Sequence, residues 1–296
     1  MAIDIISIIA QELNLQRQQV SATVKLLDEG ATIPFISRYR KEVTGSLDEV
    51  AIFNIQSRHN SLLELEKRKA YILETIEEQG KLTEELRQKI NKTIDLAILE
   101  DLYVPFKPKR RTRAAIARER GLEPLAKIIM AQNSTDIDRQ ASRFITEDVA
   151  TADDAIAGAQ DIIAEWVSEN EKVRAMVRNR YKQTAVISSS AVKGREDEAQ
   201  NYQNYFDFTE PLSRCSSHRY LAIRRGESEG LLRVSVSIDD TQMIDRLNKF
   251  VVKQTASSQS AQLVTEAVKD GYKRLVKPSI ETEVSAMSKE KADDVA

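Results

Sequence analysis

A single cysteine, Cys215, among 296 residues leaves no partner for an internal disulfide. The two histidines, His59 and His218, stand far apart, and neither a zinc-finger spacing nor HExxH occurs. There is no GxxxxGK(S/T) loop and no GxGxxG after a strand, so no backbone cradle for nucleotide phosphates is visible. No metal and no cofactor are therefore expected. No apolar run approaches the roughly 18 to 20 residues needed to cross a bilayer. The opening MAIDIISIIAQEL is broken by Asp4, has no basic residues ahead of it and no small-residue cleavage site after it, so it reads as a first amphipathic helix rather than an export signal. One thiol and no targeting segment point to the cytoplasm.

Glycine (9), proline (6) and aromatic residues (5%) are also scarce, whereas 41% hydrophobic and 30% charged residues suit amphipathic helices with charged outer faces. The fold class expected is all-α. A net charge of only −2 means that attraction to a polyanion must come from local clusters of Lys and Arg.

Helix boundaries follow from capping residues. Val20, Val24 and Leu27 share a face, and Gly30 supplies a left-handed terminator. Ser46-Leu47-Asp48-Glu49 reads as a capping box opening a long helix, or a kinked pair, that Gly80 stops. Thr83 followed by two glutamates starts the next helix, and Leu96, Leu99 and Tyr103 mark a buried face beyond it. Pro105 and Pro108 then predict an extended segment before KPKRR. Thr112 caps a short helix ending at Gly121, and Pro124 suits the first turn of another. Ala155, Ile156, Ala159, Ile162, Ile163, Trp166 and Val167 form one apolar stripe behind a Thr151–Asp154 capping pair, with Trp166 as its buried anchor.

The period changes at Leu232, Val234, Val236 and Ile238, which alternate with polar residues as a half-buried strand requires. The β-branched run from Thr184 to Val192 is its expected partner in a two-stranded ribbon. From Pro278 the positions Ile280, Val284, Met287 and Val295 share a helical face. No cap closes that helix, so the sequence is expected to be an amino-terminal piece.

No catalytic constellation stands out. Cys215, Ser216, Ser217 and His218 crowd together, but sequence neighbours seldom form a catalytic dyad, and Ser216 or Ser217 is expected to cap the helix holding Leu221 and Ala222. Tyr202, Tyr205, Phe206 and Phe208 have helix-like spacing and are expected to form an inter-helix joint rather than a base-stacking platform. Arg38 and Arg40 are expected to clamp buried acids, although with Tyr39 and Lys41 they form a mixed aromatic and basic patch.

Three stretches carry a resemblance to a known family: ATIPFISRYRKEVTGSLDE (31–49), LEDLYVPFKPKRRTRAAIARERGLEPLA (99–126) and NYFDFTEPLSRCSSHRYLAIRRGESEGLLRV (204–234). In content, order and spacing they resemble the bacterial Tex family, and the likeness covers essentially the whole chain. Two positions depart from the pattern, which has a hydrophobic residue and a proline where Cys215 and Ser216 stand. The resemblance implies a transcription accessory protein that binds nucleic acid and is not an enzyme in this portion. It also implies a continuation into a ribonuclease-H-like domain, helix-hairpin-helix units and an OB-fold RNA-binding domain, none of them within residues 1 to 296. A helix-turn-helix-like region surrounds the second stretch.

The strongest local signal for function is KPKRRTRAAIARER, with Lys107, Lys109, Arg110, Arg111, Arg113, Arg118 and Arg120 as candidate nucleic-acid-binding residues. Clustered cations suffice for sequence-independent contact with RNA or DNA phosphates. The competing reading pairs them with Asp95, Glu100, Asp101, Glu119 and Glu123. The expectation is an elongated, multi-helical scaffold with a helix-turn-helix-like unit and a minor β element. It divides into an amino-terminal region (1–68), the helix-turn-helix-like unit (69–125) and a central region (126–296). The alternatives are a protein-interaction module docking on RNA polymerase or ribosome-associated proteins, and part of a nuclease whose catalytic acids lie downstream. No membrane partner is expected.

Overall fold

Asp4, the residue that breaks the apolar opening, caps a helix: its carboxylate accepts from the Ser7 backbone N–H at 3.1 Å. The computed structural model describes residues 4–108 and 111–293. They fall into two units, Met1–Lys107 and Pro108–Ala296. Each is mainly helical, and the second carries a small sheet.

In the first unit the helices are α1 (Ile5–Glu12), α2 (Arg17–Asp28), α3 (Ile33–Tyr39), α4 (Lys41–Thr44), α5 (Glu49–Glu78), α6 (Glu84–Lys92) and α7 (Leu96–Tyr103). The spine is α5, which buries Ile52, Ile55, Leu62, Leu65, Ile72 and Ile76 at alternating three-, four- and seven-residue steps. Ile9, Val20, Ile36, Ile90, Leu99 and Tyr103 complete that core. Lys69 is buried on the same face because its ammonium donates to Glu66 at 2.7 Å and to the Asn91 carbonyl at 3.0 Å. One continuous helix carries the chain across residues 68 and 69, and the two units divide at 107/108.

Three local expectations change here. The cap of α5 is Asp48, accepting from Ala51 N–H at 2.7 Å, and not Ser46, which adopts a left-handed φ of 64° next to the left-handed Gly45. Leu96 is 56% exposed, leaving the burial to Leu99 and Tyr103. Pro105 sits in a 3-10 turn, Val104–Phe106, so the chain becomes extended only at Lys107.

The second unit contains α8 (Arg113–Glu119), α9 (Glu123–Ala131), α10 (Ile137–Ala141), α11 (Ala152–Glu169), α12 (Glu171–Thr184), α13 (Ser217–Ser228), α14 (Asp240–Val251), α15 (Ser258–Gly271) and α16 (Lys277–Asp293). Its strands are β1 (Val186–Ala191), β2 (Asp207–Pro211) and β3 (Leu232–Ser237). The Thr151–Asp154 capping box opens α11, whose apolar stripe packs against α8, α9 and α15. Trp166 is only half-buried; Ile162 and Ile163, with no exposed surface, anchor the stripe instead. At Gly271 of α15 a Cβ would lie 2.7 Å from the Ala164 carbonyl oxygen of α11.

The expected ribbon is a three-stranded antiparallel sheet in the order β2-β1-β3, with Ile187 opposite both Glu210 and Val236. Ile187 and Val236 face the core with Tyr220 and Ile223 of α13. The aromatic group does not lie on a helix: Tyr202 and Tyr205 are in a 3-10 turn, Gln200–Tyr205, and Phe208 is on β2. Tyr202 nonetheless packs inward, with Ala199, Leu231 and Leu232. Ser216 holds the cap position of α13 without a capping hydrogen bond, and Met287 is 42% exposed while Ile280 and Val284 are buried. Val295 lies outside the described residues.

Between α15 and α16 the helix does not stop but passes through a π turn, Tyr272–Val276. The turn brings two side chains to one carboxylate: Tyr272 donates to Asp240 at 2.7 Å and Lys277 at 2.6 Å. Farther along, α16 is tied to α12 by Tyr181 donating to Glu281 at 2.8 Å, Arg174 donating to Ser279 at 3.1 Å, and a two-pronged pair between Arg178 and Glu283.

Burial works against charge on Asp240, but the hydrogen bonds from Lys277 and Tyr272 outweigh it and hold the carboxyl below its ordinary value. A carboxyl depressed on folding stabilises above its unfolded pKa of about 4, and that contribution is lost as the pH falls through the lower folded value. The urea midpoint of the second unit is therefore expected to drop below about pH 4, and Asp240→Asn to flatten this acid limb. A variant with an undiminished acid limb would show that Asp240 is not its source.

Candidate nucleic-acid interface

The cationic segment begins at the end of α7 and continues along α8. Thr112 caps α8 by accepting from Ala115 N–H at 3.0 Å, and Gly121 closes the segment with a φ of 75°. A turn this short places its cations by the burial of Ala114 and Ala117 against α11, which leaves the intervening side chains to find other partners.

Lys107, in the first unit, donates to Glu100 at 2.6 Å and lies 5.6 Å from the centroid of the Tyr103 ring. Arg68 joins the same carboxylate at 2.6 Å and stands between the Tyr71 and Tyr103 rings, 5.1 and 5.3 Å from their centroids. Burial raises the cost of a charge on Glu100, yet hydrogen bonds from Arg68 and Lys107 hold its carboxyl below the usual range. Lys107 is thus part of a local ion-pair cluster.

Arg118, in the second unit, reaches Glu165 on α11 at 2.6 Å. That carboxylate is 8% exposed and also accepts from the Thr112 hydroxyl at 3.4 Å, so Arg118 compensates a buried charge and fastens α8 to α11. Arg111 pairs with Glu119 at 3.0 Å, both largely exposed, an arrangement that contributes little stability and yields easily to another anion. Arg113 and Arg120 are exposed. Burial pushes the Asp161 carboxyl up, and the charges of Arg274 and Arg113 only partly offset it. Lys109 and Arg110 lie outside the described residues.

The seven candidates therefore divide by physical role. Arg111, Arg113 and Arg120 present charge to solvent around one short helix, whereas Lys107 and Arg118 are engaged by acids of their own units. Sequence reasoning named Glu100, Glu119 and Glu123 as neutralising neighbours but missed Glu165, which lies 47 residues from Arg118 and is brought there only by packing.

Elsewhere the Cys215 thiol is pushed up to about 11, chiefly by burial, which disfavours its reactive thiolate. Ser216 and the exposed His218 approach at 3.4 Å at the start of α13. Among the described residues no group of three or more His, Cys, Asp or Glu side chains is placed to hold a metal ion. No helix among them is long and apolar enough to cross a membrane.

The fold and its charged surface define a predominantly helical scaffold with a minor antiparallel sheet. Residues 3–77 match the Tex-like protein N-terminal domain and residues 132–296 the Tex central region-like domain. The chain is 37% identical over 294 residues to the transcriptional accessory protein Tex of Neisseria gonorrhoeae, covering 98% of this chain and 39% of that protein. It is 46% identical over 234 residues to protein YhgF of Escherichia coli, covering 78% of this chain and 30% of YhgF. Against protein tex of Bordetella pertussis the identity is 45% over 237 residues, 79% of this chain and 30% of the relative. The chain belongs to the Tex family. It spans well under half the length of these relatives.

Proposed function

We propose that this chain is the helical scaffold of a transcription accessory protein and that it contacts nucleic acid, RNA or DNA, through phosphates. The observation that carries the reading is the exposure of Arg111, Arg113 and Arg120 around α8, inside the expected helix-turn-helix-like region 69–125. Support for transcription comes from the Neisseria gonorrhoeae relative, which is named for that role. Cations held by a folded helix neutralise phosphates and release condensed counterions without reading bases. The scaffold contributes position rather than catalysis, in the cytoplasm.

The test is the salt dependence of binding to duplex and single-stranded oligonucleotides. Replacing Arg111, Arg113 and Arg120 together with Ala is expected to lower the logarithmic salt slope by about 0.9 per lost phosphate contact on duplex DNA. Arg118→Ala should instead lower the melting temperature with little change in slope. A triple variant with the wild-type slope would overturn the phosphate reading. It would favour docking on a protein of the transcription or translation machinery, for which the exposed Ile94, Leu96 and Ile98 offer an apolar surface.

A further inference from the structure

A second patch, on the first unit, has the chemistry for a different part of a nucleic acid. Phe35 and Tyr39 stand one turn apart on α3 with ring centroids 5.5 Å apart and planes tilted by 42°. Tyr39 is 64% exposed and Phe35 40%. The next residues on the helix face the other way: Ile36 has no exposed surface, and the buried Ser37 donates to the Pro34 carbonyl at 3.1 Å and to Glu49 at 3.2 Å. The rings therefore ride on an anchored turn rather than a loose loop.

Cations surround them. The Arg40 guanidinium lies 5.3 Å from the Phe35 ring centroid, and Arg38 and Lys41 are exposed on either side of Tyr39 in sequence. Arg38 approaches Glu49 at 3.8 Å, but with side chains 69% and 53% exposed this pair is weak and solvent-screened. Over residues 38–42 three cations stand against one acid, Glu42. The sequence expectation that Arg38 and Arg40 clamp buried acids does not describe them: Glu49 is half-exposed and Arg40 covers a ring.

We infer that Phe35, Arg38, Tyr39, Arg40 and Lys41 form a binding site for an unpaired nucleic-acid strand, a base stacking on Tyr39 and neighbouring phosphates meeting Arg38 and Lys41. An aromatic face receives any base, but only where the base is not already stacked within a duplex. Planarity and positive charge together match a single strand, whereas an acidic peptide would use the charge and leave the ring unsatisfied. This site goes beyond the reading given above and uses none of its residues, so either can fail alone.

The experiment is fluorescence anisotropy of labelled oligouridylate and of a short DNA duplex with the whole chain. Tyr39→Ala is expected to weaken oligouridylate binding about tenfold and to leave duplex binding unchanged, with Tyr39→Phe retaining most of the affinity. Replacing Arg38 and Lys41 with Ala should lower the single-strand salt slope by about 0.7 per lost contact. Far-UV circular dichroism checks that each variant keeps its helix content. The site is refuted if Tyr39→Ala binds oligouridylate like the wild type, if it weakens strand and duplex equally, or if polyglutamate outcompetes oligouridylate. Loss of slope in the α8 arginine variant with an intact Tyr39 effect would leave this site standing.

Discussion

Replacing Arg178 with alanine is expected to destabilise the second unit by about 3 to 5 kcal/mol. Its side chain is 6% exposed and grips Glu283 of α16 through two guanidinium nitrogens, with the acid itself 22% exposed. Alanine would leave the Glu283 carboxylate short of water and of its main counter-charge, and the desolvation cost would no longer be offset. The single tryptophan, Trp166, lies on α11 in the same unit, so its fluorescence during urea unfolding reports this unit and not the first. Exchanging both partners, Arg178→Met with Glu283→Leu, removes the buried charges together and should recover much of the loss. A midpoint unchanged in Arg178→Ala would mean that this ion pair contributes nothing to holding α16.

Gly271→Val is expected to cost about 3 kcal/mol, the upper part of the range for overpacking. A Cβ at this position would lie 2.7 Å from the carbonyl oxygen and 3.2 Å from the Cα of Ala164, and backbone cannot swing aside as a side chain can. The two helices would have to separate. Gly158 is the control: its Cβ would meet Leu122 Cδ1 at 2.4 Å, the tip of a side chain with other rotamers available, so Gly158→Ala should cost only about 1 kcal/mol. Equal losses at the two sites would show that α11 and α15 adjust their spacing freely.

Much of the helical frame was legible in local residues. Thr83, Thr112 and Thr151 cap as expected, and Gly30, Gly80 and Gly121 terminate with left-handed φ. These signals depend on a few neighbouring backbone groups and survive any tertiary context. Ser46 and Asp48 are both competent caps, and the choice fell to Asp48 because the left-handed Gly45 and Ser46 turn the chain first. Strand β2 escaped notice because five residues ending in Pro211 carry little periodicity and it pairs only through β1. The charge on the candidate segment was legible, but its division was not. Arg118 and Arg111 are equivalent as letters, and only the folding of α11 against α8 gives Arg118 a buried acid while Arg111 stays in water. The exposure of Tyr39 is hidden in the same way, since the buried Ile36 and the outward ring lie only three residues apart.

The π turn at Tyr272–Val276 makes the orientation of α16 a matter of phase. One residue of α-helix advances the direction of a side chain by about 100°. Winding the same residues as regular α-helix would rotate everything after them by an angle of that order, because a π turn holds about one residue more than an α turn. Glu281 and Glu283 would swing away from Tyr181 and Arg178 although no contacting side chain had changed. In this part of the molecule the winding of the backbone, as much as any one side chain, sets how α16 docks.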